Sequence, residues 1–195
     1  MMKFVDLPKY GPVHRFADYH VYRTLLILMD GRRKGRKQLA DSVKVGEGSM
    51  RTIIDYLRDR GFIDVQQTGI KISNKGLEFM KSIPLKVERL EPSDMSIAER
   101  NVAVHVKGAA SRVSLGIEQR DAAVKAGAEG ATTIIYSGGK LIIPPDYSVD
   151  DHKPSSSLLL RKVFSLAEGD VIIIGTAQEY FEAENGALAA AFALI

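Results

Sequence analysis

Cysteine is absent from this chain of 195 residues. The absence excludes disulfide bonds, thiol catalysis and cysteine-held metal clusters, and it agrees with a reducing cytoplasm. Long apolar runs are also absent, because the longest, such as Leu25 to Met29, are far too short to span a bilayer. The charged N-terminus has no apolar core of about 7–15 residues, so we expect no signal peptide. The sequence therefore predicts a soluble, cytoplasmic protein with no membrane segment.

Histidine is scarce, and its spacing does not fit a metal site. The four histidines are His14, His20, His105 and His152, and no two of them stand four residues apart as zinc ligands on a helix do. The GxGxxG fingerprint of dinucleotide-binding proteins is absent too. We therefore expect no metal and no other cofactor, and we interpret the histidines as surface or structural residues.

Catalytic motifs are equally scarce. The run Ser155 to Ser157 has only His152 nearby in the sequence, and no pair of carboxylates stands in a recognisable motif. We therefore do not expect an enzyme.

Charge is divided unevenly between the two halves of the chain. Residues 1–83 hold 16 Lys and Arg against 9 Asp and Glu, a net charge of +7, whereas residues 84–195 hold 11 against 15, a net charge of −4. A basic half joined to an acidic half is expected when only one half meets a polyanion. Two unrelated surface compositions explain the same numbers.

The first half has the pattern of a winged helix-turn-helix. Apolar residues at helical spacing predict three helices, and two short strands around a polar turn predict a wing. Gly61 is a natural end for the third helix. The predicted elements are helices at Tyr19–Met29, Arg36–Val43 and Ser49–Arg60, strands at Phe62–Val65 and Ile70–Ser73, and a fourth helix from Ser73 to about Ser82.

The stretch Val45 to Thr52, Val-Gly-Glu-Gly-Ser-Met-Arg-Thr, resembles the entry to the recognition helix of winged-helix repressors, including iron-dependent and multidrug-type regulators. The resemblance covers about residues 20–82 and implies a sequence-specific transcriptional regulator that binds double-stranded DNA. Metal ligands of the iron-dependent repressors have no match here. Carried over by position, it implies DNA contacts from Ser49, Arg51, Thr52, Tyr56 and Arg58, and wing contacts from Gln66, Gln67, Thr68 and Lys71.

Two points stay open for this module. Arg51 can reach a guanine edge or hold a phosphate, and the sequence does not decide between them. Winged helices also bind RNA or proteins, so the alternative function is a metabolite-binding protein or enzyme whose winged helix is a protein- or RNA-interaction module. A homodimer is expected for the regulator, since helix-turn-helix proteins commonly bind two half-sites.

A cationic run precedes the second helix, with five cations in six residues. Next to a helix-turn-helix we interpret the run as a phosphate clamp, which predicts strongly salt-dependent binding. A solvated loop is the other interpretation. The cations are Arg32, Arg33, Lys34, Arg36 and Lys37.

Pro84 and Pro92 bracket a predicted linker region, in which Val87 to Leu90 is either a strand or part of a connection. We therefore predict a winged-helix DNA-binding domain at 1–83 and an α/β domain for effector binding or dimerisation at 84–195. Strands alternating with helices predict the second domain, so the fold class is α+β or α/β overall. The predicted elements are strands at Val102–Val106, Ala131–Tyr136, Lys140–Ile143 and Val171–Ile174, and helices at Leu115–Ala128, Ser157–Leu166 and Gln178–Ile195; Asp150 to Ser157 reads as a mobile polar loop.

Three places in the second domain are candidate sites for a small-molecule effector. Arg120 and Asp121 border a predicted apolar stripe of Ile117, Val124 and Ala128, where they form ion pairs, line a pocket or meet another subunit. Gly175 and Thr176 follow the strongest predicted strand, where α/β folds gather ligands, although a tight turn explains the glycine equally well. Asn185 lies at the edge of a stripe on the last helix, which is apolar all round and is either central or a dimer contact.

The stretches Ala183 to Ala191 and Gly127 to Thr133 look like the C-terminal domain of a little-characterised archaeal regulator family. In that family a winged helix precedes a domain of unknown function. The resemblance extends the match across most of the chain and implies no specific effector.

Overall fold

A computed structural model describes residues 15–91 and 98–195 of the chain, so His14 and Pro92 lie outside the described residues. The chain divides into two compact units, with the boundary between Ile83 and Pro84. Within the described residues, no helix is long and apolar enough to cross a membrane.

The first unit contains four helices and a two-stranded antiparallel wing. The second predicted helix has the observed bounds, whereas the third begins two residues earlier than predicted. The early start has a physical reason, because Glu47 in the first turn favours the positive end of the helix dipole. The elements are α1 Asp18–Leu28, α2 Arg36–Val43, α3 Glu47–Asp59, β1 Ile63–Gln66, β2 Gly69–Ile72 and α4 Asn74–Ser82.

The core of the first unit comes from the apolar stripe of α3. Met50, Ile53 and Leu57 are fully buried, as expected for positions three to four residues apart on one helical face. The turn before α3 is tight because Lys44 takes a left-handed conformation with φ of 62°. The opposite face of α3 is thereby left to solvent.

The second unit is built on one six-stranded sheet. Its elements are β3 Leu85–Leu90, β4 Arg100–Val106, a 3-10 turn Ala110–Arg112, α5 Ile117–Lys125, β5 Gly130–Ser137, β6 Lys140–Ile143, β7 Tyr147–Ser148, α6 Val149–His152, α7 Pro154–Val163, β8 Val171–Ala177 and α8 Tyr180–Phe192.

The strand order is β3-β4-β8-β5-β6-β7, and every neighbouring pair is antiparallel. The mixed α and β class is confirmed, but the sheet is not the parallel one that an α/β domain usually contains. Because β8 lies between β4 and β5 with helices on both faces, all seven of its residues are buried. An antiparallel sheet has no common carboxyl edge, so the expectation of ligands at such an edge does not apply.

The two faces of the sheet are covered by different helices. On one face, Leu160 of α7 and Val149 of α6 share a buried cluster with Ile172 and Ile174 of β8. On the other face, α8 packs against β8, and Gly186 of α8 lies against α5. The last helix is therefore a central element of its unit, which was one of the two alternatives for it.

One prediction for the second unit is wrong, and one open alternative is decided. The stretch from Asp150 to Ser157 is helical rather than a mobile loop, because Asp150 accepts hydrogen bonds from Leu141 N, Ser157 Oγ and Arg161 Nη2. For Val87 to Leu90, the strand alternative is the one observed, since these residues belong to β3, which pairs with β4 along its whole length.

Gly175 allows α8 to pack on β8 at close range. A Cβ atom at this position would lie 2.3 Å from Ala183 O and 2.8 Å from Ala187 N, which are both backbone atoms of α8. We expect Gly175→Ala to lower the free energy of unfolding by about 1–3 kcal/mol or more, because neither atom can move without shifting the helix.

Thermal unfolding followed by circular dichroism measures the effect. Gly48→Ala is the control, since it adds the same methyl group into open space within a helix. That change should leave the unfolding midpoint unchanged or raise it. Equal midpoints for Gly175→Ala and the wild type would contradict the close-packing account.

Candidate nucleic-acid interface

A groove runs between the exposed face of α3, the start of α2 and the wing. Its volume is about 380 Å³. Three arginines from two helices converge on it, so it is a cationic concavity on the basic half of the chain. The polar residues that line it include Arg36, Arg51, Asp55, Arg58, Gln66 and Gln67.

Among the arginines of this groove, Arg51 is the one whose guanidinium is available to bind another molecule. The residue is exposed, and within the described residues no hydrogen bond or ion pair holds its guanidinium. Arg58, in contrast, lies 3.0 Å from Asp55 and 3.5 Å from Asp59, and Arg36 lies 3.9 Å from Glu47. The groove therefore presents one free guanidinium beside two that are shared with carboxylates.

The remaining α3 residues differ in access. Ser49 and Thr52 are half-buried in the first turns, and Thr52 Oγ1 donates to Gly48 O at 3.2 Å. The prediction that Tyr56 contacts DNA is wrong for this structure, because the residue is only 8% exposed. The Arg60 guanidinium also covers its ring, 3.7 Å from the ring centroid. A helical residue next to an exposed one can face inward, and Tyr56 packs with the core stripe.

The cationic run serves two purposes rather than one. Arg32, Arg36 and Lys37 are exposed, as a phosphate clamp requires. Lys34 is not available for a clamp, because its side chain is only 12% exposed and its amine binds Asp30 at 2.5 Å. That hydrogen bond holds the pKa of Asp30 below its ordinary value. The clamp prediction is therefore corrected at Lys34.

The segment from Arg33 to Lys34 fastens the wing. Lys34 N donates to Ile70 O and Ile70 N donates to Lys34 O, both at 2.9 Å. Arg33 Nη1 adds a bond to Gly69 O at 3.0 Å. These hydrogen bonds make Lys34 a one-residue third strand beside the wing. The sequence did not predict this role, because runs of charged residues are usually exposed to solvent.

Two of the four wing residues that were predicted to contact DNA, Gln67 and Lys71, lie on different surfaces. Gln67 is exposed in the wing turn and lines the arginine groove. Lys71 is exposed on β2, but it lines a separate depression of about 300 Å³ with Asp64, its partner across the wing. The structure therefore brings Gln67, and not Lys71, to the groove with Arg51.

In the second unit, Arg120 and Asp121 are exposed and bind each other at 3.0 Å. The predicted apolar stripe beside them is wrong within α5, since Ile117 and Val124 are about half exposed while Gln119 and Ala123 form the buried side. Its third residue, Ala128, is buried but lies beyond the end of the helix. The hydrophobic pattern predicts the wrong buried face for α5, because a polar residue, Gln119, lies on the side that is buried. The pair borders an open depression of about 440 Å³ rather than a buried face.

Gly175 and Thr176 do not form a ligand site. Both lie inside β8 rather than in a turn after it, and the backbone of α8 fills the space in front of Gly175. Thr176 Oγ1 accepts a hydrogen bond from Ala98 N at 2.8 Å. Asn185 is buried within α8. The structure assigns these three residues to packing, which corrects their prediction as effector contacts.

Two histidines have structural roles. His105 Nε2 lies 2.7 Å from Asp170 Oδ2, and both side chains are buried in the second unit. Burial opposes the charge of Asp170, but hydrogen bonds from Ala167 N, Gly108 N and His105 outweigh it and lower its pKa. Burial lowers the pKa of His20 to about 4, so this ring is neutral near pH 7. Within the described residues, no three His, Asp or Glu side chains cluster as metal ligands.

Each unit of the chain matches one family model. Residues 20–85 match the family described as the CggR N-terminal DNA binding domain. Residues 97–194, half of the chain, match the family described as a domain of unknown function (DUF4443). These matches confirm a winged-helix regulator with a C-terminal domain of unknown function, and they support DNA as a partner.

A solved structure supports the same organisation over both units. The hypothetical protein PH0730 from Pyrococcus horikoshii OT3 superposes with a TM-score of 0.72 at 25% sequence identity. The match covers 92% of this chain and 93% of that one. No curated protein matches the chain.

The wing turn supplies a test of the fastening segment. Gly69 has φ of 122°, and a Cβ atom there would lie 3.0 Å from Lys34 O. We expect Gly69→Ala to destabilise the wing by about 1–3 kcal/mol through backbone strain. Amide hydrogen exchange at Lys34 and Ile70 should accelerate, whereas Thr68→Ala in the same exposed turn should leave it unchanged. Unaltered exchange in Gly69→Ala would show that the segment does not depend on this turn.

Proposed function

The chain belongs to the family of the domain of unknown function (DUF4443), and we propose that it is a homodimeric, sequence-specific DNA-binding transcriptional regulator. The observation that carries the proposal is the arginine groove between α3 and the wing, in a region that matches a DNA-binding domain. The basic net charge of residues 1–83 supports a polyanionic partner. The proposal includes no catalytic step and places the regulator in the cytoplasm.

In the proposed complex, α3 enters the major groove with its exposed face toward the bases. Arg51 is the principal contact, because a free guanidinium can donate two parallel hydrogen bonds to a guanine edge or hold a phosphate. Ser49 lies two residues earlier, in the first turn of α3, and adds a short hydroxyl contact. Exposed Arg32, Arg36 and Lys37 bind the phosphate backbone.

Carboxylates beside the arginines favour specificity over raw affinity. Asp55 and Glu47 offset part of the positive charge of Arg58 and Arg36 at the same surface. A carboxylate facing DNA repels the backbone everywhere but can accept a hydrogen bond from cytosine N4. The surface therefore binds random DNA less tightly than its arginine count alone implies.

The C-terminal unit is proposed to hold two copies of the chain together. Two copies match the two half-sites of a helix-turn-helix operator. A small-molecule effector remains part of the proposal, but its site is not at Gly175, Thr176 or Asn185, whose surroundings are filled by the protein itself.

The first test measures DNA binding directly. Fragments selected from genomic DNA should be bound, and Arg51→Ala should weaken binding of the selected fragment by about 1–3 kcal/mol, roughly fivefold to 150-fold. Lys81→Ala on α4, outside the groove, is the matched control and should change affinity little. Absence of any binding at low salt would refute the proposal, as would equal affinities for wild type and Arg51→Ala.

The second test separates the two parts of the cationic run. Lys37→Met removes an exposed cation, so the slope of log affinity against log salt should become shallower by about 0.9. Lys34→Met removes a cation already bound to Asp30, and we expect it to change the slope by less. Fluorescence anisotropy between about 50 and 200 mM salt measures both slopes. Identical slope changes for the two variants would contradict this division of roles.

A further inference from the structure

The strand β3 forms one edge of the six-stranded sheet, with β4 on one side and no strand of the described residues on the other. It pairs with β4 in one unbroken register from Leu85 to Leu90, so no bulge turns it away from a further strand. The opposite edge of the sheet ends in β7, which has only two residues. Natural sheets commonly protect their edges with short strands and bulges, and β3 has neither protection.

The backbone of β3 directs a row of hydrogen-bonding groups away from β4. Lys107 N donates to Pro84 O at 3.1 Å, so position 84 faces β4. Residues of an antiparallel strand face one neighbouring strand and then the other in alternation, so Leu85, Val87 and Arg89 direct their N–H and C=O groups outward. Within the described residues, these three residues make no backbone hydrogen bond outside the strand pairings. The edge therefore offers donors and acceptors at the spacing that another antiparallel strand requires.

The charges of β3 are placed symmetrically about Val87. Lys86 and Glu88 flank it on one face of the sheet, where Lys86 Nζ lies 3.2 Å from Glu88 Oε1 and the two side chains are 52% and 41% exposed. Lys86 Nζ also donates to Val163 O at 2.8 Å, which holds the ammonium group beside the edge. A cation and an anion thus stand at equal distances on either side of one residue.

Such a strand is complementary to its own copy. When two identical strands pair antiparallel, the two-fold axis is perpendicular to the sheet, and the residues that precede the axis in one copy lie opposite those that follow it in the other. An axis at Val87 therefore places Lys86 opposite Glu88 of the partner subunit on both sides of the axis. It also places Leu85 opposite Arg89 of the partner subunit, so the whole strand is paired.

Like charges disfavour the other registers. Directly opposite side chains point to the same face, so the axis passes through a residue and not between two. An axis at Lys86, Glu88 or Arg89 would place that residue opposite its own copy, and like charges directly opposite each other are destabilising. An axis at either terminal leucine would pair only the end of the strand. Charges on an edge strand generally discourage pairing, but these charges permit pairing with a second copy in one register.

We propose that β3 pairs antiparallel with β3 of a second copy of this chain, which joins the two sheets into one continuous sheet. Val87 and Val87 of the partner subunit exchange both of their N–H···O=C hydrogen bonds, and Leu85 does the same with Arg89 of the partner subunit. Each Lys86 ammonium then lies between two carboxylates, its own Glu88 and the partner subunit's Glu88.

The β3 contact rests on the homodimer of the proposed function, but its tests use no DNA. Absence of pairing through β3 leaves DNA binding standing, and absence of DNA binding leaves this contact standing. The strand has six residues, a length of about 20 Å, so the contact is small and we expect the dimer to dissociate in the micromolar range.

Amide hydrogen exchange tests the contact in the wild-type chain. The N–H groups of Val87 and Arg89 are free in the monomer and bonded in the dimer, so their exchange should slow roughly tenfold or more when the protein is concentrated through its dissociation constant. The N–H groups of Lys86 and Glu88 face β4 and should be equally protected at low and high concentration. Exchange at Val87 that does not depend on concentration, whether fast or slow, overturns the proposal.

The second test exchanges the charges one at a time in the full chain. Lys86→Glu places carboxylates opposite each other on both sides of the axis, and Glu88→Lys places ammonium groups there. Each variant alone should weaken dimerisation roughly tenfold or more, because like charges then meet across the axis. An equimolar mixture of the two variants should recover the wild-type affinity within a few-fold, since every carboxylate again faces an ammonium group.

Sedimentation equilibrium across the micromolar range reports these constants. Recovery in the mixture identifies the β3 contact, because mixing cannot repair a loss of structure in either variant. Lys125→Glu is the matched control, since the residue is exposed on α5, which packs on β5 and α8, and it should leave the dimer unchanged.

Four outcomes of this second test overturn the proposal. They are a monomeric wild type over the whole range, dimers that persist unchanged in both charge variants, a mixture that stays monomeric, and a control that weakens the dimer as much as the β3 variants do.

Discussion

The second unit depends on the burial of β8 on both faces. This strand is paired on both edges and covered on both faces, so the two helical layers share one apolar support. Gly175 determines how closely α8 approaches, because its missing side chain leaves room for the backbone of the helix. Close approach lets α8 fill the space between the sheet and α5. The outer side of α5 is in this way kept at the surface, with its charges and apolar residues exposed together.

The first unit depends on a smaller device. The two-residue segment Arg33 to Lys34 joins the wing through the backbone hydrogen bonds of Lys34 and one side-chain hydrogen bond from Arg33. The same segment leads directly into α2, and its neighbours in the cationic run remain exposed. One stretch of sequence therefore holds the wing in place and also supplies cations to the surface beside it.

The sequence predicted the helices and wing of the first unit closely because their apolar residues follow a regular period. The same reasoning failed at α5, where Gln119 is buried and Ile117 is exposed, so hydrophobicity pointed to the wrong face. It also failed at Tyr56 and Lys34, because the solvent exposure of these side chains depends on their contacts with Arg60 and Asp30, which form only in the folded chain. Gly175 was interpreted as a possible turn residue because the sequence does not show where β8 ends. Its extent follows from pairing with β4 and β5, which are distant along the chain. Arg51 was identified correctly as exposed because its position follows from helical geometry alone.

The bonds between Lys34 and Ile70 have a mechanical consequence for the nucleic acid. The wing is tied to the start of α2, and α2 packs against α3, so the wing has little freedom to swing relative to α3. A protein with a hinged wing can adjust its own shape to a wider or narrower groove. In the proposed complex the adjustment falls to the duplex, whose bending and groove width vary with sequence at positions that no side chain touches. Under that proposal, the stiffness of the flanking base steps becomes part of what the regulator distinguishes.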